Sequence, residues 1–434
     1  MTTPHSNCTE RTERALAAIE AAGDEGRRIF TRVHAASALA AARAADERAA
    51  QGISLGPLDG RIVSIKDLFD VAGEATTAGS AVLKDAPPAR QDAAVVQRLR
   101  AAGCVLIGKT NMTEFAFSGI GINPHWGTPG NAHDAARIPG GSSSGAGVSV
   151  VRGMAEIAIG TDTGGSIRIP AALAGIAGFK PTQARVPRDG ALPLSYTLDT
   201  IGPLAASALD CARADAVLSG SVWQPLPERQ VAGLRVGVPR GWLLSDAEDA
   251  VLAAFEQALA RLAQAGARVQ DLQLDDWLMA PARVQQGGSL ASAEAAHIHR
   301  ELLERAPGQL DPRVLARIQP GRSVPAPHYV GVLQERARLQ RGFDAELLNV
   351  DLLALPTVPI VPPRIDALEA DDAAFMRANA LVLRNPSVFN FYDLPALSLP
   401  AGRAAGLPFG LMLVAPRGRD RELLALGAAI ERLG

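Results

Sequence analysis

Gly60-Arg61-Ile62-Val63-Ser64-Ile65-Lys66-Asp67 sets a short apolar run between turn and charged residues, the pattern of a strand buried on both faces. A second such run, Val105-Leu106-Ile107, lies between Gly103 and Gly108. Between the two, Val95, Val96, Leu99 and Ala102 recur at helical spacing, so the stretch reads as β-α-β. Strand texture returns much later, at residues 352–355, 396–399 and 409–414, and a last helix carries Leu423, Leu426, Ile430 and Leu433 on one stripe. Leu234, Val236 and Val238 alternate just before an amphipathic helix with Val251, Leu252, Phe255, Leu259 and Leu262 on one face. Ser245 and Glu248 read as its capping box and Gly266 as its stop. Strands at both ends of the chain predict an α/β fold: a single large mixed β-sheet flanked by helices, closed by strands from both halves, with a helical excursion over residues 205–345. Residues 1–56, rich in Ala, Glu and Arg, predict an N-terminal helical arm, and residues 57–434 the main domain.

Of the 434 residues 47% are hydrophobic and 20% charged, enough to bury a large core and too apolar for a disordered chain. Lysine plus arginine (43) nearly balance aspartate plus glutamate (45), so no basic field exists to hold nucleic acid or anionic lipid. Cys8, Cys104 and Cys211 are too far apart for a disulfide framework or a zinc cluster, which fits a reducing cytoplasm. The N-terminus lacks a signal-peptide core and no stretch has eighteen uninterrupted apolar residues, so neither secretion nor membrane spanning is expected.

Residues 119–190 are dense in Gly, Ser, Thr and Pro yet carry apolar pieces at residues 148–151 and 157–159, which marks core built from loops. Two blocks stand out: Pro139-Gly140-Gly141-Ser142-Ser143-Ser144-Gly145-Ala146-Gly147, and Gly160-Thr161-Asp162-Thr163-Gly164-Gly165-Ser166-Ile167-Arg168-Ile169-Pro170. Glycines free backbone N–H groups to converge on an oxyanion while a neighbouring hydroxyl attacks, an acyl-transfer arrangement. The serine needs a base. His125 and His133 lie in a polar loop and His297 and His299 in the middle of the chain, whereas Lys66 ends an apolar run where desolvation would favour its neutral form. Gly103-Cys104-Val105-Leu106-Ile107-Gly108-Lys109-Thr110 matches the P-loop pattern letter for letter. Its interior is a strand where a phosphate cradle needs a loop, so nucleotide binding is rejected.

Residues 60–67, the Gly-Gly-Ser-Ser-Ser-Gly run and residues 161–170 together resemble the amidase signature family, three separated blocks in order. The resemblance runs from about residue 57 through 190 and again from 352 to the end; the middle is only loosely similar. It implies the amidase signature fold, Ser166 as nucleophile, Lys66 as base, and between them a bridging Ser142 whose preceding peptide bond the family holds cis. Ser142 lies 76 residues after Lys66 and Ser166 a further 24 on, the family's spacing, which selects Ser142 over Ser143 and Ser144. The N–H groups of Thr163, Gly164, Gly165 and Ser166 are the expected oxyanion hole, and Thr113 and Phe115, in a block that also looks like the family's own, the expected substrate contacts. Asp162 and Arg168 read as structural supports of the loop.

The implied reaction is hydrolysis of a small carboxamide, anilide or carbamate, with no cofactor and no metal. The expected partner is that small molecule, with no nucleic acid and no membrane; self-association as a homodimer is compatible with this reading. A second reading is the A subunit of a glutamine-dependent tRNA amidotransferase, which supplies ammonia to a partner. Trp223, Trp242, Trp277 and Tyr329 in a middle region with few charge clusters point to a neutral, small or aromatic substrate.

Overall fold

Eleven strands join in one sheet in the computed structural model, which describes residues 7–434. In chain order they are β1 (Phe30–Val33), β2 (Ile62–Lys66), β3 (Val105–Thr110), β4 (Ile157–Asp162), β5 (Ala177–Lys180), β6 (Thr200–Ala205), β7 (Arg235–Arg240), β8 (Arg268–Gln273), β9 (Leu352–Pro356), β10 (Ala396–Ala404) and β11 (Leu407–Val414). Their order across the sheet is β1-β3-β2-β4-β6-β5-β10-β11-β9-β7-β8, mixed in direction and drawn from both ends of the chain. The chain forms the single mixed sheet that the sequence predicts.

The β-α-β reading of the opening stretch holds: β2 and β3 pair in parallel, Ile62 opposite Val105 and Lys66 opposite Thr110, with the helix Ala94–Ala101 between them in the chain. On its other edge β2 pairs in parallel with β4, Ile65 opposite Ile159. Because both pairings are parallel, the C-terminal ends of β2, β3 and β4 lie together. Every residue of these three strands is buried, which is why β2 and β3 read as short apolar runs rather than alternations; the piece at residues 157–159, expected as core built from loops, is instead the start of the buried strand β4. The run at residues 148–151 belongs to a helix, Ser144–Val151, whose start packs so closely that a Cβ on Gly145 would lie 2.3 Å from the carbonyl oxygen of Ile29.

Three expectations need correction. Residues 8–50 are not a purely helical arm: besides the helices Cys8–Ala21, Asp24–Ile29 and Ala35–Ala50 they contribute β1, antiparallel to β3. Cys8, Ala15, Ile29, Phe30 and Ala42 share one apolar cluster with Ile62, Val105 and Ile107, so this stretch is part of the sheet's own core. Residues 1–6 lie outside the described residues. The excursion over 205–345 is helical only in part, since it also supplies β7 and β8 at the far edge of the sheet. Ser245 does not cap a helix: its hydroxyl donates to the Trp242 carbonyl at 2.9 Å, and the helix begins at Asp249 after Glu248. The buried face Val251, Phe255, Leu259 and Leu262 is as expected, with Gly266 at φ +90° after the helix end. No helix among the described residues is long and apolar enough to cross a membrane.

Candidate active site

Lys66 ends β2 and Thr161 lies near the end of the adjacent, parallel β4, so the pairing of the two strands brings them within reach of each other. The Lys66 Nζ is wholly buried, 2.7 Å from Ser142 Oγ and 2.9 Å from Thr161 Oγ1. Burial pushes its pKa down from 10.5 to about 7, while the charges of Asp199 and Asp162 pull the other way. Near neutrality a large fraction of this amine is therefore uncharged and able to accept a proton.

Ser142 follows a cis peptide bond, Gly141–Ser142, and its carbonyl accepts from the Thr113 N–H at 3.0 Å. Of the three consecutive serines it is the one beside Lys66. Ser144 donates to the Asn111 carbonyl at 3.2 Å and Ser143 Oγ is buried without a partner. Ser166 sits in the short loop between β4 and the helix Arg168–Ala174 and reaches the wall of a cavity of about 270 Å³. The glycine before it is required, because Gly165 has φ +128° and a Cβ there would lie 2.7 Å from Ile169 Cδ1.

The loop is held from beneath by Asp162. Its carboxylate accepts from the Gly165 N–H at 2.8 Å, from Arg168 Nε and a terminal guanidinium nitrogen at 2.9 Å each, and from Asn390 Nδ2 at 2.8 Å. Burial alone would raise its pKa, but the Arg168 charge and the hydrogen bonds from Arg168 and Asn390 hold it well below the usual carboxylate range. Asp162 and Arg168 thus form a buried ion pair inside the loop, the supporting role that the sequence suggests. On the other side Thr163 Oγ1 donates to Asp199, which also accepts from the N–H groups of Leu194 and Ser195.

One expected oxyanion donor is already committed: the Gly165 N–H donates to Asp162. The N–H groups of Thr163, Gly164 and Ser166 have no acceptor among the described residues. Both expected substrate contacts also fall off the cavity wall. Thr113 is buried behind Ser142, and the Phe115 ring, on a tight turn with φ +49°, packs against His299 with ring centroids 4.0 Å apart. The wall begins one residue later, with Ala116, Phe117 and Ser118. Of the aromatic residues singled out in the middle region only Trp242 lines the cavity. Trp277 packs against Phe343 and Tyr329 donates to Glu294 at 2.6 Å.

The four histidines weighed as bases are engaged or placed elsewhere: His125 with Glu114, His133 with the Ala174 carbonyl, His299 with Phe115, and His297 exposed on its helix. The P-loop look-alike is strand β3, and Lys109 within it is paired with Asp67 at 2.9 Å, both buried. Asn390 and Asp199 escape a sequence reading, for no local motif marks them; Thr161 lies inside the block 161–170, but nothing in the block marks its contact with Lys66. Asn390 comes from the helix Asp372–Phe391, more than two hundred residues after the loop that it supports.

The Amidase family model matches residues 10–424. The chain is 40% identical over 437 residues to a 2-amino-5-chloromuconic acid deaminase of Comamonas testosteroni, covering 96% of this chain and 92% of that one. It is 36% identical to the A subunit of a glutamyl-tRNA(Gln) amidotransferase of Chloroflexus aggregans, covering 98% and 92%. Among solved structures, a crystal structure of an amidase superposes with a TM-score of 0.88 at 34% identity, covering 99% of this chain and 97% of that one. A 6-aminohexanoate cyclic dimer hydrolase complexed with substrate gives 0.86 at 26% identity, covering 99% and 94%.

Proposed function

The chain belongs to the amidase family and is a hydrolase of C–N bonds, and we propose that it cleaves a small carboxamide, anilide or carbamate through an acyl-enzyme on Ser166. The observation that carries this reading is the buried Lys66 amine, its pKa lowered to about 7, in contact with Ser142. Neutral Lys66 takes the Ser142 hydroxyl proton, Ser142 takes that of Ser166, and Ser166 Oγ bonds to the substrate carbonyl carbon. The carbonyl oxygen gains negative charge and is received by the free N–H groups of Thr163, Gly164 and Ser166, of which one good donor contributes about 3–4 kcal/mol. When the tetrahedral adduct collapses the C–N bond breaks, and the relay returns the proton to the departing nitrogen. Water, deprotonated by the same relay, then hydrolyses the ester on Ser166.

A fluorophosphonate probe tests this directly. The expected adduct is on Ser166, with none in Ser166→Ala and no turnover by that variant; an adduct on Ser142, or a fully active Ser166→Ala enzyme, overturns the assignment. The 36% identity to the A chain of a tRNA amidotransferase supports a second reading, ammonia supply to a partner. Glutaminase activity that appears only when the other chains of such a complex are added would favour it. Hydrolysis of simple amides by the chain alone favours the first.

A further inference from the structure

Asp199 and Glu294 are buried carboxylates with no ion-pair partner among the described residues, and both hold the same short segment. Asp199 directly precedes β6. That strand runs antiparallel to β4 with Thr200 opposite Asp162, so the register carries Asp199 to Thr163, the first residue of the loop that bears Ser166. One oxygen of its carboxylate accepts from Thr163 Oγ1, the other from the N–H groups of Leu194 at 2.9 Å and Ser195 at 3.0 Å. Arg188 donates to the Asp199 main-chain carbonyl, at 3.4 Å, and not to the carboxylate. Glu294, on the helix Leu290–Ile298, accepts from Ser195 Oγ, from Thr197 Oγ1 at 2.8 Å and its N–H at 3.2 Å, and from the Tyr329 hydroxyl at 2.6 Å. The segment 194–199 is thus tied down at both ends, and it presents Leu194 and Leu198 to the cavity.

A carboxylate buried without a cation in contact costs stability, and hydrogen bonds from the chain offset that cost only in part. A neutral side chain could take the Thr163 hydrogen bond. A negative charge is worth burying where it acts on another charge, and the wholly buried Lys66 is that charge. Lys66 contacts Thr161, and Asp199 contacts Thr163 two residues further along the same chain. Asp199 and Asp162 both favour the protonated amine, and Asp162 is already neutralised by Arg168. In the proposed relay Lys66 becomes a buried cation as the substrate oxygen becomes an anion, so a fixed negative charge near the first and a fixed backbone donor at the second both lower the barrier. We propose that Asp199 is a positioning residue for the reaction on Ser166: it anchors Thr163, whose N–H receives the substrate oxygen, and steadies Lys66 as a cation, with Glu294 locking the segment that carries it. The role of Thr163 rests on the acyl-enzyme reading; the action of Asp199 on Lys66 does not depend on it.

Two measurements test this. The lysines of the chain are Lys66, Lys84, Lys109 and Lys180, so isotopic labelling of lysine Cε gives an NMR spectrum in which Lys66 is identified by its loss in Lys66→Arg. Its titration midpoint, expected near pH 7 in the wild-type protein, should fall by roughly half a pH unit or more in Asp199→Asn, because a charge that favoured the cation is gone. A midpoint that stays or rises overturns the assignment. The anchoring of Thr163 is read from the rate at which the fluorophosphonate labels Ser166. Thr163→Val keeps the shape and removes the hydroxyl, and should slow labelling by roughly tenfold or more; Thr163→Ser, which restores the hydroxyl, should regain most of that rate. Glu294→Gln should slow it by less, since Asp199 still reaches Thr163. Thr163→Val that labels as fast as wild type overturns the proposal, as does Thr163→Ser slowed as far as Thr163→Val. If Asp199→Asn lacks the near-ultraviolet circular dichroism of a folded protein, the two Thr163 variants decide. If the wild-type protein takes no adduct on Ser166, the acyl-enzyme reading falls by itself, and the Lys66 midpoint decides whether Asp199 acts on that amine.

Discussion

With Lys66 half-deprotonated at about pH 7, kcat/KM should rise with pH through an inflection near that value and level off above it. Lys66→Arg keeps a positive charge but cannot release it, and the expected loss is at least about a thousandfold; near-normal rates would show that Lys66 contributes charge alone. Stability should move in step with the same proton. The folded pKa lies below the 10.5 of a free lysine, so between about pH 7 and 10.5 the unfolded chain binds more protons and stability from this group rises with pH; below pH 7 the full penalty of burying the cation applies. Lys66→Met should therefore be inactive yet lose part of that pH dependence in urea melts. At this scale the sequence points to the contact of Lys66 with Ser142, and to Ser166 as their proposed partner, only through motif spacing. Taken alone, Lys66 is a lysine at a strand end, and its chemistry comes from a burial that only the assembled sheet creates.

Asp162 ties three elements together: the end of β4, the loop that carries Ser166, and the long helix that carries Asn390. Asp162→Asn leaves the Arg168 guanidinium buried without its counter-ion, and the expected cost is about 3–5 kcal/mol in denaturant unfolding, together with loss of turnover as the loop relaxes. Asn390→Ala removes a neutral group that donates to Asp162 and accepts from Arg168 but leaves the ion pair in place, and should cost less, about 1–3 kcal/mol. A larger loss from Asn390→Ala than from Asp162→Asn would show that the helix, not the ion pair, fixes the loop. β4, whose apolar start lies in a stretch that reads as core built from loops, is not legible as a strand, while the fully buried β2 and β3 were legible because apolar runs bounded by turn residues leave few other readings. β1 and β8 were not. Phe30-Thr31-Arg32-Val33 is four residues set between helices in an Ala- and Arg-rich stretch, and Arg268–Gln273, mostly exposed at the sheet edge, has little apolar periodicity to show.

Deleting residues 1–56 should do more than trim a surface arm. It removes β1 from the edge of β3 and opens the apolar cluster around Ile62, Val105 and Ile107, directly beneath the strand that carries Lys66. The expected product is insoluble or lacks near-ultraviolet circular dichroism, and is inactive; a folded, active truncation would show that the sheet closes without this layer. The architecture as a whole was readable because strand texture appears at both ends of the chain and must meet in one layer. The cavity was not, because its wall is assembled from segments far apart in sequence, Ala116 to Ser118, Trp242, Leu278, Arg317 and Phe391.

Lys66, Ser142 and Ser166 all precede residue 205, while Trp242, Leu278 and Arg317 all fall between 205 and 345. The residues proposed to break the bond thus lie in one stretch of the gene, and a large part of the cavity surface that would choose what is broken lies in another. Recombination or drift confined to the second stretch can change the diet of the enzyme and leave its chemistry intact, so a lineage built on this sheet can acquire new nitrogenous foods without reinventing how to digest them.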